Sequence, residues 1–113
     1  MGIQNWAENI VLVNLASEPH MSEELQVVID MACKSDDLNF VIDFADVDII
    51  SSSSIAKLLK IRKTLDENNC RLVLSTVNPQ TKGVFEITAL DSVFEFVDSR
   101  FLALAGMQMA MTG

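Results

Sequence analysis

The sequence predicts an α/β domain with a mixed, mostly parallel sheet of four or five strands and helices packed largely on one face. Two observations carry this prediction. Short β-branched apolar runs alternate with segments of helical periodicity along the chain, and this alternation requires crossover connections between strands. No linker, internal repeat or long low-complexity tract divides the 113 residues. We therefore expect a single domain over 1–113, with its core at about 5–105.

A strand pair and a helix are predicted first. The run Ile10–Leu15 indicates a buried strand, and Ile3–Trp6 indicates a short partner strand joined to it by a turn at Glu8-Asn9. A helix should follow Ser22, because serine is a favoured N-cap and two glutamates come directly after it. Its buried face is predicted from residues at helical spacing: Leu25, Val28, Ile29 and Ala32.

Further strands and helices alternate after this helix. A strand is predicted over Phe40–Phe44, and a helix over Ile55–Leu65 follows four consecutive serines. The remaining elements are a strand at Leu72–Val77, a turn at Asn78-Pro79, a helix at Gln80–Ile87, a strand at Val93–Val97 and a last helix at about 98–111. One face of the last helix is expected to pack on the sheet: Phe101, Leu104, Met107 and Met111.

Composition excludes several classes of partner and location. The formal charge is −8, with 8 Lys and Arg against 16 Asp and Glu, so a phosphate backbone would be repelled and nucleic-acid binding is disfavoured. No apolar stretch reaches the roughly 20 residues of a membrane span, so we expect no membrane insertion. The first ten residues lack the basic and apolar regions of a secretory signal. We expect a cytoplasmic protein.

Motifs for catalysis or cofactor binding are missing from the sequence. There is no GxxxxGK[ST], GxGxxG or GxSxG motif, and His20 is the only histidine. We therefore expect no enzyme activity and no cofactor. Cys33 and Cys70 are interpreted as two buried thiols rather than as metal ligands. Three acids near a strand end could gather a hard cation, although solvated carboxylates are the simpler interpretation and no metal is expected: Asp43, Asp46 and Asp48.

The run Ser51–Ser54 lies where a strand gives way to a helix. One serine there can cap the helix, which is worth ~1 kcal/mol, but a single cap accounts for only one serine. The other interpretation is a phosphoacceptor, because a phosphate at a helix start meets unpaired N–H groups and adds about −1.5 to −2 charges. The physics of the segment leaves both interpretations open.

Half of all the cations in the chain follow the serines within one helix: Lys57, Lys60, Arg62 and Lys63. For each residue alone, ordinary solvation of an amphipathic helix explains the charge. Together they form a local basic face on an acidic protein, and such a face could steer an acidic partner.

The chain resembles the STAS domains and, within them, the bacterial anti-sigma factor antagonists, over about residues 5–105. Phe40–Phe44 is similar to the family's hydrophobic-hydrophobic-Asp-hydrophobic strand, and Val47–Ile55 is similar to its φ-x-φ-φ-D-S-S-G-φ segment. Asn69–Pro79 resembles the G-x-x-L-x-L-x-x-x-x-P strand and turn, and Phe85–Asp91 resembles the helix that ends in TGLD. The resemblance implies a single STAS-like domain.

The resemblance also implies a phosphorylation switch. In the family, the second serine of D-S-S-G is phosphorylated by a serine kinase that is also an anti-sigma factor; this releases the antagonist, and a phosphatase resets it. That serine aligns with Ser53, and Ser52 is the second choice. Three family residues are replaced here, the motif Asp by Ser51, the motif Gly by Ser54 and the TGLD Gly by Ala89. The expected partner-binding residues are Ser51, Ser52, Ser53, Ser54, Lys57 and Lys60.

A second function is compatible with the same resemblance. Some family members do not switch, but act as scaffolds of stress-sensing assemblies or as accessory subunits of lipid transporters, and a replaced D-S-S-G motif would suit these roles. The methionine-rich last helix also leaves a homodimer or another protein contact open, because methionine side chains adapt to many binding surfaces.

Overall fold

The alternation of strands and helices predicted from the sequence is confirmed. A computed structural model describes residues 2–112, with side chains from residue 2 to residue 110. The strands are β1 (Gly2–Ala7), β2 (Ile10–Asn14), β3 (Asn39–Asp43), β4 (Leu72–Ser75) and β5 (Glu95–Val97). The helices are α1 (His20–Lys34), α2 (Ser52–Glu67), α3 (Pro79–Ile87) and α4 (Arg100–Thr112).

The five strands lie in the sheet in the same order as in the chain. β1 and β2 form an antiparallel hairpin in which Ile3 is paired with Val13, with a register shift between Asn5 and Ala7. The pairs β2–β3, β3–β4 and β4–β5 are all parallel. Because every parallel connection steps in the same direction across the sheet, crossovers of the usual right-handed kind collect their helices on one face.

Helices α1, α2 and α3 cover that face and enclose the larger core. The buried side chains of α1 include the four predicted at helical spacing, and Phe40 and Ile42 of β3 face them across the core. Phe85 of α3 packs edge-to-face against two aromatic rings near the sheet edge, with centroid distances of 5.5 Å to Phe94 and 5.4 Å to Phe96.

Helix α4 covers the opposite face of the sheet. Ala103, Leu104 and Met107 pack there against the apolar side chains of β2, β3 and β4. The prediction for this helix is wrong for Phe101, which is 67% exposed, because the inward face begins at Ala103. The side chain of Met111 lies outside the described residues. No charged residue occurs from 101 to 110, so the part of α4 that follows Arg100 is uncharged on its outward face as well over this range.

Two other local predictions, the Ser22 cap and the two buried thiols, are wrong. Helix α1 begins at His20, so Ser22 lies within its first turn and does not cap it. Cys33 is exposed, and Cys70 is half-buried at the margin of the larger core. Ile87, the last residue of α3, is 87% exposed. The buried side chain near this end of the helix is that of Phe85.

Ala89 adopts a left-handed conformation with φ 60° at the end of α3. Its N–H donates to the carbonyl of Glu86, and the next N–H, of Leu90, donates to the carbonyl of Phe85 at 2.7 Å. This is the Schellman arrangement, in which glycine is favoured at the left-handed position because a Cβ atom there is crowded. The alanine that replaces the family glycine therefore keeps the glycine conformation.

Replacing Ala89 with glycine should stabilise the protein. Relief of the left-handed strain outweighs the extra freedom of glycine in the unfolded chain, so we expect the free energy of unfolding in urea to rise by roughly 0.5–1 kcal/mol. The same change at Ala56, exposed within α2, should lower it by about 1 kcal/mol. Two changes of the same sign would contradict this explanation.

Candidate functional site

The serine run occupies the start of α2, where Ser51 is the N-cap. Its hydroxyl accepts a hydrogen bond from the N–H of Ser54 at 3.2 Å, and its carbonyl accepts one from the N–H of Ile55 at 3.0 Å. The backbone of Ser51 is extended, as an N-cap requires. The capping interpretation is therefore confirmed for one serine of the four.

Ser54 is completely buried in the first turn of α2. Its hydroxyl donates to Oε2 of Glu18 at 2.8 Å, so the buried polar group is satisfied. The residue is helical and is not among the positive-φ positions of the described chain. The backbone at this position therefore does not need the glycine of the family motif, and a small hydroxyl side chain is accommodated.

Glu18 reaches this helix start from the connection between β2 and α1. Besides the bond from Ser54, its Oε2 accepts a hydrogen bond from the N–H of Ser51 at 3.0 Å. Burial raises the pKa of Glu18 and is the largest single influence on it. The hydrogen bonds from Ser51 and Ser54 together outweigh burial, so the pKa of Glu18 lies below its ordinary value. A carboxylate here also compensates the positive end of the helix dipole.

Sequence reasoning missed Glu18. The residue precedes a proline in a loop and is 33 positions away from Ser51, and no short motif connects the two segments. Only the packing of α1 beside α2 brings the carboxylate to the serines. A carboxylate therefore lies beside the serine run even though the Asp of the family motif is replaced by Ser51.

Ser52 and Ser53 are the two exposed members of the run. The hydroxyl oxygens of Ser53 and Ser51 lie 3.1 Å apart and share a hydrogen bond. Hydrogen bonds thus lead from the exposed Ser53 through Ser51 and Ser54 to Glu18. A phosphate on Ser53 would meet the free N–H groups of the first helical turn and would add charge close to the Glu18 carboxylate.

The basic face predicted on α2 is only partly free. Lys57 donates from Nζ to the carbonyl of Ser22 at 3.0 Å and thereby joins α2 to α1. Arg62 donates from Nε to the carbonyl of Val93 at 2.6 Å and also pairs with Asp66. Lys60 and Lys63 are exposed. Lys57 and Lys60 follow Ser53 by four and seven positions, so both lie on the same side of α2 as Ser53.

Two of the three acids considered for a cation are engaged in other contacts. Asp43 accepts a hydrogen bond from the hydroxyl of Ser75 at 3.0 Å, and Asp46 accepts one from Asn14 at 3.1 Å. Within residues 2–112, no three His, Cys, Asp or Glu side chains are grouped closely enough to hold a metal ion. None of the helices in that range is both long and apolar enough to cross a membrane.

We expect acidification to remove a stabilising contribution of Glu18. Its pKa is depressed in the folded state, so the contribution is fully present above the unfolded value of about 4.3 and is lost as the pH falls through the lower folded value. Urea unfolding between neutral and acidic pH should show Glu18→Gln less stable than wild type near neutrality, with a difference that shrinks below the unfolded pKa. Glu86→Gln, at an exposed site in α3, is the control. A difference for Glu18→Gln that is independent of pH would contradict the expectation.

The family is shown by comparison with known proteins. A sequence model of the STAS domain matches residues 8–103, and the chain therefore belongs to the STAS domain family. It is also 30% identical over 100 residues to BtrV of Bordetella bronchiseptica, which is provisionally described as an anti-sigma factor antagonist. That match covers 88% of this chain and 83% of BtrV. The resemblance inferred from the strand and serine motifs is confirmed.

Solved structures share the fold at low sequence identity. A provisionally described anti-sigma factor antagonist of Thermotoga maritima has a TM-score of 0.79 at 17% identity, covering 95% of this chain and 93% of its own. The Bacillus anti-sigma factor antagonist SpoIIAA has a TM-score of 0.72 at 17% identity in its unphosphorylated form, covering 93% of this chain and 94% of its own. Its phosphorylated form has a TM-score of 0.68 at 16% identity, covering 92% and 96%.

Proposed function

We propose that this chain is a phosphorylation-controlled, protein-binding switch of the anti-sigma factor antagonist type. Unphosphorylated, it binds a serine kinase that is also an anti-sigma factor; phosphorylation of Ser53 releases that kinase, and a phosphatase restores binding. The proposal rests on a difference between the serines of the run. Ser51 and Ser54 make hydrogen bonds within the fold, whereas Ser53 presents its hydroxyl at the surface of the first turn of α2.

Ser53 is preferred over Ser52 because its hydroxyl belongs to the hydrogen-bonded network that ends at Glu18. The network fixes where the acceptor oxygen lies, and such positioning is most of what a phosphoryl transfer requires of its acceptor. Glu18, which is not part of the serine run, supplies a negative charge near the Ser53 hydroxyl. SpoIIAA, which has the same fold, has been solved in both the phosphorylated and the unphosphorylated state.

Phosphorylation would release the partner through charge. The added charge of about −1.5 to −2 would stand beside Glu18 on a protein whose net charge is already −8. A partner surface that accepts neutral hydroxyls at this helix start would then face a dianion and lose complementarity. The hydroxyls of Ser51 and Ser52 and the amino groups of Lys57 and Lys60 are the proposed contacts around the acceptor. Ser54 was expected among them, but it is completely buried and acts within the fold instead. The cytoplasm, which supplies ATP to kinases, is the proposed location, and the chain itself needs no catalytic activity or cofactor.

The experiment begins with wild-type chain as bait in a lysate of the source cells. The captured kinase is then purified and incubated with the chain and Mg-ATP, and the modified residue is located by mass spectrometry. We expect phosphate on Ser53, almost complete loss of incorporation in Ser53→Ala, and little change in Ser52→Ala. Incorporation that persists in Ser53→Ala would overturn the assignment of the acceptor. Absence of any ATP-dependent partner would overturn the switch.

The second candidate is a scaffold or adaptor subunit that holds its partners without phosphorylation. The observation in its favour is the replacement of the motif Asp and Gly by Ser51 and Ser54, both engaged within the fold. A homodimer would fit this role. If the bait captures the same subunits of a large assembly with or without ATP, the adaptor is the correct function.

A further inference from the structure

A cavity of about 350 Å³ lies at the carboxyl ends of the parallel strands, beside the first turn of α4. The volume is near the lower end of the range for small-molecule sites. Its polar lining comes from Asn14, Asp43, Asp46, Thr76, Ser99 and Arg100. The proposed phosphorylation switch uses none of these residues.

Asp43 is the buried charge of this cavity, with only 2% of the residue exposed. Its Oδ1 accepts the hydrogen bond from Ser75. Its Oδ2 lies 3.8 Å from Nη1 of Arg100, which is beyond hydrogen-bond length. A ligand that brings an N–H donor to Oδ2 would add a charge-assisted hydrogen bond to this carboxylate.

Arg100 is the cationic side of the cavity. The guanidinium lies 5.4 Å from the ring centroid of Phe101, and the side chain is 41% exposed, so it remains accessible to a ligand. It stands at the start of α4, where Ser99 accepts a hydrogen bond from the N–H of Leu102 at 3.2 Å. The guanidinium and the positive end of this 13-residue helix together favour a carboxylate.

The acidic side of the cavity is formed by Asp46 and Asp43. Asp46 is exposed and is held by the amide of Asn14. A simple anion would be repelled by these two carboxylates, and a simple cation would be repelled by Arg100. A small molecule that carries both charges matches both sides at once. Thr76, with φ 58°, adds a left-handed β-branched residue to the lining, and such backbone outliers cluster at ligand sites.

We propose that this cavity binds a free α-amino acid. The carboxylate of the ligand pairs with Arg100 and the first turn of α4, and its ammonium group donates to Asp43 and Asp46. Its side chain lies toward Ala45 and the exposed ring of Phe101. The site is independent of the proposed phosphorylation at Ser53.

The test is an NMR titration of the full ¹⁵N-labelled chain with L-alanine, L-valine and L-glutamine. We expect at least one of them to give saturable shifts of the amides of Ala45, Thr76 and Arg100. For that amino acid, the N-acetyl derivative, which lacks the ammonium group, and the amide derivative, which lacks the carboxylate, should bind at least about 10-fold more weakly, the loss of roughly one ion pair. Arg100→Gln should abolish the shifts, and Arg71→Gln, at the opposite end of the sheet, should preserve them.

Three results would overturn the proposal. They are the absence of saturable shifts at tens of millimolar ligand, equal binding of either derivative, and full binding by an Arg100→Gln chain whose spectrum shows that it is folded. No partner protein takes part in the titration, so its outcome is separate from that of the phosphorylation experiment.

Discussion

Ser53→Asp is expected to weaken binding of the captured partner by roughly 100-fold, whereas Ser53→Ala should bind like wild type. Like charges that are brought together in an interface cost several kcal/mol, and about 2.7 kcal/mol corresponds to this change in affinity. The introduced carboxylate would lie in the network that already contains Glu18. Because it carries one charge where a phosphate carries about two, the true phosphoprotein should bind more weakly still. Surface plasmon resonance with immobilised partner measures both variants.

Ser92→Asp is the matched control for this experiment. Ser92 is exposed and precedes β5, so it lies at the amino ends of the parallel strands, whereas Ser53 follows their carboxyl ends. The control adds the same charge to the same acidic protein and should leave the affinity unchanged. Equal loss of binding by Ser53→Asp and Ser92→Asp would show that net charge, rather than charge at the start of α2, controls the interaction.

Phe85→Ala is expected to lower the free energy of unfolding by about 3–5 kcal/mol, the range found for large aromatic side chains removed from a core. Phe85 is fully buried and packs against the rings of Phe94 and Phe96. The contact with Phe96 joins α3 to β5. Urea unfolding at pH 7 measures the change.

Ile87→Ala, two positions further along the same helix, provides the control. Ile87 is 87% exposed, so its truncation should change the free energy of unfolding by no more than about 0.5 kcal/mol. If the two variants lost similar stability, α3 would not be anchored through Phe85.

The sequence predicts the sheet and the buried face of α1 because the periodicity of apolar residues shows directly which side of an element is buried. The same reasoning fails at Phe101. Apolar residues at helical spacing identify a stripe, but the point where a helix first touches the sheet and the point where it ends depend on packing. Ser22 fails as a cap because α1 starts two residues earlier, after Pro19.

The sequence predicted only those residues of the candidate site that are neighbours along the chain. Ser51 and Ser53 could be located because they are neighbours in one segment and match a family motif. Glu18 could not, since its contact with Ser51 arises only when two separate connections meet in the fold. The Asp43–Arg100 pair joins β3 to α4 across the sheet edge and was missed for the same reason.

The sequential order of the five strands bears on how the protein assembles during synthesis. Each new strand pairs with the one made just before it. The parallel partners, such as Val11 and Phe40, are nevertheless separated by a whole helix, and pairing of this kind is intrinsically slow. Successive β-α units can add to the growing sheet as they emerge from the ribosome. The second face is different, because Ile10, Leu12 and Val41 pack against α4, which is translated after all five strands. A nascent chain without α4 would therefore carry a nearly complete sheet with one bare apolar side, and this is the stage at which we expect it to depend on chaperones.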